Sequence, residues 1–202
     1  MQKKDVFIII GIVIIIGLIF GINVLINNKK NQEDDSLLSG KHYVLISVKD
    51  YGDIKVELDA DTAPITVTNF INLVKDKFYD GLTFHRIIKG FMIQGGASTK
   101  ETKTIKGEFS SNGVVNNISH VRGTISMARS DGDNDSASTQ FFIMHKDNLE
   151  LDGSYAAFGH VVEGMDVVDK IAKVEYMEGT NGIVEDSKQP VIESIRIVDG
   201  DE

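Results

Sequence analysis

Residues 83–96 read TFHRIIKGFMIQGG, two short apolar runs on either side of a Lys-Gly pair. This pattern predicts two antiparallel strands joined by a tight turn. Alternate residues of a strand share a face, which would place Phe84, Arg86 and Ile88 together. A permanently charged guanidinium beside apolar side chains requires an explanation, so Arg86 is the first candidate functional residue.

Similar patterns along the rest of the chain predict six further strands and two helices. Two strands pair as a hairpin around Asp50 to Asp53, and the other four are GTISMA, STQFFIM, AAFGHVV and PVIESIRIV. The strands are short and mostly joined by local connections. They favour a mainly β fold, a closed eight-stranded antiparallel barrel capped by two α-helices.

The first helix is expected within residues 61–81. Thr62 is placed to cap it and Pro64 lies in its first turn. The second helix is expected in GMDVVDKIAKV, residues 164–174. In both segments the apolar residues recur at helical spacing: Val67, Phe70, Ile71 and Val74 in the first, Met165, Val168, Ile171 and Ala172 in the second.

Residues 6–26, VFIIIGIVIIIGLIFGINVLI, carry no charged side chain. At about 1.5 Å per residue, a helix of this segment would cross the roughly 30 Å hydrocarbon core of a bilayer. The sequence thus predicts a short tail (1–5), a transmembrane anchor or signal-anchor (6–26), a flexible linker (27–40) and a folded domain (41–200). A cleaved signal peptide is the alternative; the length of the run and the lack of an A-x-A site favour an anchor.

The charges that flank the apolar segment are nearly balanced. Lys3 and Lys4 precede it, and Lys29 and Lys30 follow it. We expect the amino terminus inside and the domain outside the cell membrane, in a single-pass arrangement.

Composition and missing motifs exclude several functional classes. The formal net charge is -9, so nucleic acid is not an expected partner. There is no Cys to act as a thiol nucleophile, and the five His form no HExxH pair. The acidic run at residues 131–135 begins like a calcium loop, but Ser136 and Phe142 stand where Gly and Glu are required. We therefore expect no metal and no cofactor.

Four segments together resemble one family. FHRIIKGFMIQGG, GTISMAR, SASTQFFI and LDGSYAAFGHVVEGMDVVDKI are similar, in this order, to the cyclophilins, which are peptidyl-prolyl cis-trans isomerases. The resemblance covers roughly residues 41–198, and the compact SMARSDGDNDSASTQFF arrangement is closer to the bacterial members. It implies X-Pro-containing polypeptides as partners and a monomeric domain.

The resemblance also implies a site. Arg86 would be the catalytic arginine and Gln94 the polar group beside it, whereas His85 would be a packing residue. Arg129 departs from the Asn that is frequent at its position, and Tyr155 from a frequent His. The implied substrate-binding residues are Phe91, Met92, Ala128, Gln140, Phe142, Leu151 and Tyr155.

These residue types suit a reaction that breaks no covalent bond. Rotation about an X-Pro bond is slow because the amide nitrogen shares its lone pair with the carbonyl, and the barrier is about 18–20 kcal/mol. A guanidinium that donates to the prolyl nitrogen would favour the twisted state. The sequence thus predicts an isomerase that assists folding of exported proteins; the alternative is a membrane-tethered proline-peptide binding module or holdase with little turnover.

Overall fold

A computed structural model describes residues 37–200 of the chain. Its compact unit begins at Leu38, whose N–H donates to Thr68 Oγ1 at 2.8 Å and whose side chain packs on the core. No helix within residues 37–200 is both long and apolar enough to cross a membrane. The predicted transmembrane helix at residues 6–26 lies outside the described residues.

Eight strands and two α-helices are present in the described part, as the patterns predicted. The elements are β1 (Lys41–Val48), β2 (Gly52–Asp59), α1 (Pro64–Lys75), β3 (Phe84–Ile88), β4 (Met92–Gly95), β5 (Thr124–Met127), β6 (Phe141–Met144), β7 (Ala157–Glu163), α2 (Met165–Ile171) and β8 (Ile192–Val198). Every pair of neighbouring strands is antiparallel, and the spatial order is β3-β4-β6-β5-β7-β2-β1-β8.

The prediction of a closed barrel is wrong, because β3 and β8 stand at opposite ends of the strand order and no ladder joins them within residues 37–200. The edge of β3 contacts the segment 182–191 instead. Ile87 N donates to Gly182 O at 2.8 Å, and Phe84 N donates to Pro190 O at 2.9 Å. This segment makes only isolated bridges with the edge, between Arg86 and Ile183 and between Thr83 and Val191, so the sheet is an open half-barrel.

Helix α1 begins at Pro64, but its cap differs from the prediction. Thr62 Oγ1 donates to Asp59 Oδ2 at 2.9 Å and does not cap the helix. Glu108, which is 2 % exposed, accepts from Ile65 N at 3.0 Å and from Thr66 N at 2.7 Å. A distant carboxylate therefore satisfies the free N–H groups of the first turn and suits the positive end of the helix.

The apolar faces of both helices join the main core, as their spacing predicted. Helix α1 packs against β2 and β8, and α2 packs against β2. The core residues contributed by the helices include Val67, Phe70, Ile71, Val74, Val168 and Ile171, all at most 3 % exposed. Met92 on β4 and Phe142 and Met144 on β6 do not belong to this main core.

Candidate active site

A second apolar cluster, separate from the main core, lies on β4 and β6. Met92 pairs with Met144 and Gln94 pairs with Phe142 in the ladder between these strands. The buried members of the cluster are Met92, Phe142 and Met144, and the partly buried ones are Ile88, Phe91, Ala128, Leu151 and Tyr155. Because the partly buried residues stay accessible, this cluster forms a wall and not a closed core.

The wall borders a cavity of about 390 Å³. Such a volume is within the range of about 300–1,000 Å³ that is usual for small-ligand sites. Eight of the nine residues implied by the resemblance line it, together with three that were not proposed as site residues. The lining consists of Arg86, Phe91, Met92, Gln94, Ala128, Arg129, Asp131, Phe142, Leu151, Tyr155 and Asn181.

A bulge in β3 places Arg86 on the cavity side. The register of β3 against β4 shifts between Phe84 and Arg86, so one extra residue, His85, enters the strand. Phe84 and Ile87 are both 0 % exposed in the main core, whereas Arg86 lines the cavity. The expected sharing of a face by Phe84 and Arg86 is therefore wrong. The bulge leaves His85 half-buried, and burial lowers its pKa.

Two acceptors from different elements fix the guanidinium of Arg86. Its Nε donates to the backbone carbonyl oxygen of Asn181 at 2.9 Å, and its Nη1 donates to Gln94 Oε1 at 3.1 Å. Gln94 Nε2 in turn donates to Gln140 Oε1 at 2.9 Å, which sets the orientation of the Gln94 amide. Hydrogen bonds along this chain thus hold the planar fork in one position.

The remaining donors of Arg86 are available to a ligand. Within residues 37–200 its Nη2 makes no hydrogen bond, so two N–H groups are left. Burial lowers the pKa of Arg86, an effect that the nearby Tyr155 opposes. Since an arginine pKa is so high, the side chain still carries its charge at neutral pH.

Gln140 lies in a neighbouring cavity of about 130 Å³. This smaller cavity is lined by Gln94, Ala128, Arg129, Ser130, Ser136, Ser138 and Gln140. It shares Gln94, Ala128 and Arg129 with the larger cavity, so the two form adjoining parts of one site. An apolar wall, a charged fork and a polar annex together suit an extended peptide with one compact apolar residue.

Comparison with known proteins agrees with this geometry. A family model described as cyclophilin type peptidyl-prolyl cis-trans isomerase matches residues 43–199. The chain belongs to the cyclophilin family. It is a peptidyl-prolyl cis-trans isomerase, the activity for which its curated relatives are named.

Two of those relatives come from bacteria. This cyclophilin is 42 % identical over 158 residues to peptidyl-prolyl cis-trans isomerase A of Dickeya dadantii, covering 73 % of this chain and 80 % of the relative. It is 47 % identical over 152 residues to a peptidyl-prolyl cis-trans isomerase of Acinetobacter baylyi, covering 69 % and 77 %. Membership of a bacterial branch stays a prediction.

A solved structure shares the fold. The cyclophilin type isomerase of Cryptosporidium parvum, crystallised in the presence of the dipeptide Ala-Pro, matches with a TM-score of 0.67 and 26 % identity. The match covers 78 % of this chain and 99 % of that one.

A hydrogen-bonded set around the buried ring of His120 lies behind the wall of the cavity. His120 Nδ1 lies 2.8 Å from Asp152 Oδ1, and His120 Nε2 lies 3.1 Å from Ser126 Oγ. The set resembles a hydrolase triad, but Ser126 is 0 % exposed and cannot meet a substrate. The His120 ring stacks on Phe142 and meets Tyr155 edge-on, so its role is to position these rings.

Sequence reasoning did not propose Asn181 or Asp131 as site residues, and treated Arg129 only as a departure. The pair Asn181-Gly182 is a turn signal in the sequence. That signal says nothing about which strand the turn approaches. The docking of segment 182–184 on β3, through Ile87 N to Gly182 O and Val184 N to His85 O, is what brings Asn181 to Arg86.

Proposed function

We propose that this cyclophilin isomerises X-Pro bonds through Arg86, which donates from Nη2 to the prolyl nitrogen and stabilises the twisted amide. The observation that carries the proposal is a fixed guanidinium with two unused donors beside an apolar wall. We assign the pyrrolidine ring to the wall of Phe91, Met92 and Phe142. The carbonyl before the proline would then rotate while the ring stays in place.

Physical magnitudes are compatible with this mechanism. An acceleration of about 10⁵-fold requires roughly 7 kcal/mol of differential stabilisation. A charge-assisted hydrogen bond in a partly desolvated cavity, together with fixed orientation, is of that order. Nothing in the proposal requires a nucleophile or a proton transfer.

Arg86→Ala is the direct test, with Arg196→Ala as the matched control. Both variants lose one guanidinium, but Arg196 pairs with Asp80 and lines neither cavity. We expect kcat/KM for an X-Pro peptide, measured by cis-trans exchange in NMR, to fall at least 100-fold in Arg86→Ala and less than twofold in Arg196→Ala. Unchanged turnover in Arg86→Ala would contradict the proposed mechanism.

The same measurement separates isomerisation from mere binding. Tight peptide binding without exchange between cis and trans signals would favour the alternative of a proline-peptide binding module or holdase. We expect exchange to accelerate in proportion to the concentration of the protein, because the protein stabilises the twisted transition state of each bound peptide, releases the peptide and is free to act again.

We also propose that the clients are exported proteins. The support is the uncharged segment 6–26, which precedes the domain. The expected location of the domain outside the cell membrane is based on this segment. Protease added to intact cells should digest the domain if it lies outside. Protection until the cells are lysed would contradict this location without affecting the proposed reaction.

A further inference from the structure

The arginines of this cyclophilin fall into two groups. Arg122 pairs with Asp169 at 2.8 Å and Arg196 pairs with Asp80 at 2.7 Å, both away from the cavities. Arg86 and Arg129 line the larger cavity, and neither has an ion pair with a carboxylate within residues 37–200. The chain has a net charge of -9, so acidic side chains outnumber basic ones. Two arginines at one site without a carboxylate partner are therefore unexpected.

Two aromatic rings and two backbone carbonyl groups contact the guanidinium of Arg129. Its central carbon lies 4.9 Å from the ring centre of Tyr155 and 5.6 Å from that of Phe109. Nε donates to Ser154 O at 2.9 Å and Nη1 donates to Ser130 O at 3.1 Å. Within the described residues Nη2 makes no hydrogen bond, so part of the fork remains free.

Arg129 lies beside the site proposed for a bound peptide. It lines both the larger cavity, assigned above to the proline, and the smaller cavity beside it. The smaller cavity also contains Ser130, Ser136 and Ser138, whose hydroxyls are neutral polar groups. Asp131 lines the larger cavity but makes no ion pair with Arg129 in the described part of the chain.

We propose that the smaller cavity receives the residues before the proline, and that Arg129 is a specificity-determining residue there, which favours peptide substrates with an Asp or Glu side chain at one of the two positions before the proline. The inference rests on the proposed function, since it assigns the larger cavity to the proline. A carboxylate in the smaller cavity would meet a preorganised cation whose planar fork can donate to it. A Lys side chain in that cavity would be repelled by the same charge.

The test compares matched peptides that differ only at these two positions, one carrying Glu, one Gln and one Lys at each position in turn. The rate of cis-trans exchange is measured by NMR, which avoids the sequence preferences of a coupling protease. We expect kcat/KM for the better Glu peptide to exceed that for the Lys peptide by about 3- to 10-fold at low salt. The ratio should approach one at about 1 M salt, where the Debye length is about 3 Å.

Variants assign the preference to one residue. In Arg129→Gln the Glu-to-Lys ratio should fall to near one, and in Arg129→Lys most of it should remain, because the charge is kept. Lys49→Gln changes the net charge equally at an exposed residue that lines neither cavity, and should keep the ratio of the unchanged protein. Because kcat/KM for the Glu and Lys peptides is compared within each variant, a general loss of activity does not change the ratio.

Two results would overturn the inference: equal kcat/KM for the Glu and Lys peptides, or a preference that persists in Arg129→Gln. The Gln peptides separate this failure from that of the proposed function. If they exchange no faster with the protein than without it, the proposed function itself fails. If they are accelerated while the charge ratio is one, only the role of Arg129 is lost.

Discussion

The Nε atom of Arg86 donates to the backbone carbonyl oxygen of Asn181 at 2.9 Å, across 95 positions of the chain. The acceptor belongs to the loop between α2 and β8, and no side chain of that loop is needed for the bond. Asn181 has a positive φ of 54°, so the backbone of the loop is left-handed at this residue. A loop conformation therefore sets the position of the guanidinium.

Gly182→Ala should disturb this loop and slow catalysis. Gly182 has φ 95°, and an added Cβ would lie 2.5 Å from Ile88 Cγ1, so the loop or Ile88 must shift. We expect kcat/KM to fall about tenfold, since small misplacements of a catalytic group are costly. NMR exchange and a thermal unfolding curve measure activity and stability separately.

Gly179→Ala is the control, because Gly179 has φ 76° in the same loop but open space around its Cβ. It carries similar backbone strain without the clash, and should lose less than twofold in kcat/KM. In an Arg86→Ala background, Gly182→Ala should have no further effect on the residual rate. An additional tenfold loss there would show that the loop acts by another route.

Gln94→Leu should lower kcat with little change in KM. The substitution removes Gln94 Oε1, which accepts from Arg86 Nη1 at 3.1 Å, and puts an apolar side chain of similar size in its place. We expect about a tenfold loss, because the fork becomes mobile and one donor is unsatisfied. Gln140→Leu leaves the bond between Arg86 and Gln94 in place, removes the bond from Gln94 to Gln140, and should cost about two- to threefold in kcat. A rise in KM alone would contradict a positioning role for Gln94.

Glu108→Gln should destabilise the domain through helix α1. Glu108 accepts from Ile65 N, Thr66 N and Thr66 Oγ1, and an amide in its place would direct a donor toward these donors. We expect the free energy of unfolding in urea to fall by about 2 kcal/mol. Glu193→Gln removes the same charge from an exposed strand position and should change it by less than about 0.5 kcal/mol. Equal effects of both would exclude the cap as the cause.

Stability should fall as the pH drops below about 6.5. Burial lowers the pKa of His120 from its ordinary value of 6.5, although Asp152 opposes this shift. As the pH falls, the unfolded chain therefore binds a proton at His120 before the folded chain does. The contribution of His120 to the free energy of unfolding is complete above pH 6.5 and is lost as the pH falls toward its pKa in the folded state. Unfolding in urea at pH 7.5, 6.5 and 5.5 should reveal the slope.

His120→Gln should reduce that pH dependence, whereas His160→Gln, at an exposed position, should keep it. Burial also lowers the pKa of His85 and of His145, so part of the slope should remain in His120→Gln. A slope that is the same in His120→Gln as in the unchanged protein would exclude His120 as a contributor.

The sequence alone determined the elements and the residue types of the site. Periodicity of apolar residues predicted the eight strands and both helices, because local burial patterns follow the pitch of each element. The resemblance named eight residues that the fold does bring to one cavity, Gln140 lying in the cavity beside it. Their proposed roles await the substitutions above.

The tertiary structure decided what depends on contacts between distant segments. The number of strands does not show whether the first and last strands of a sheet pair. Here the segment 182–191 contacts the edge of β3, and β8 forms no ladder with β3 within residues 37–200. The bulge at His85 altered the expected face of Arg86, because one extra residue reverses strand alternation. The carbonyl of Asn181 and the stacking of Arg129 on Tyr155 arise in the same way, since hydrogen bonds and ring contacts between remote residues leave no periodic trace in a sequence.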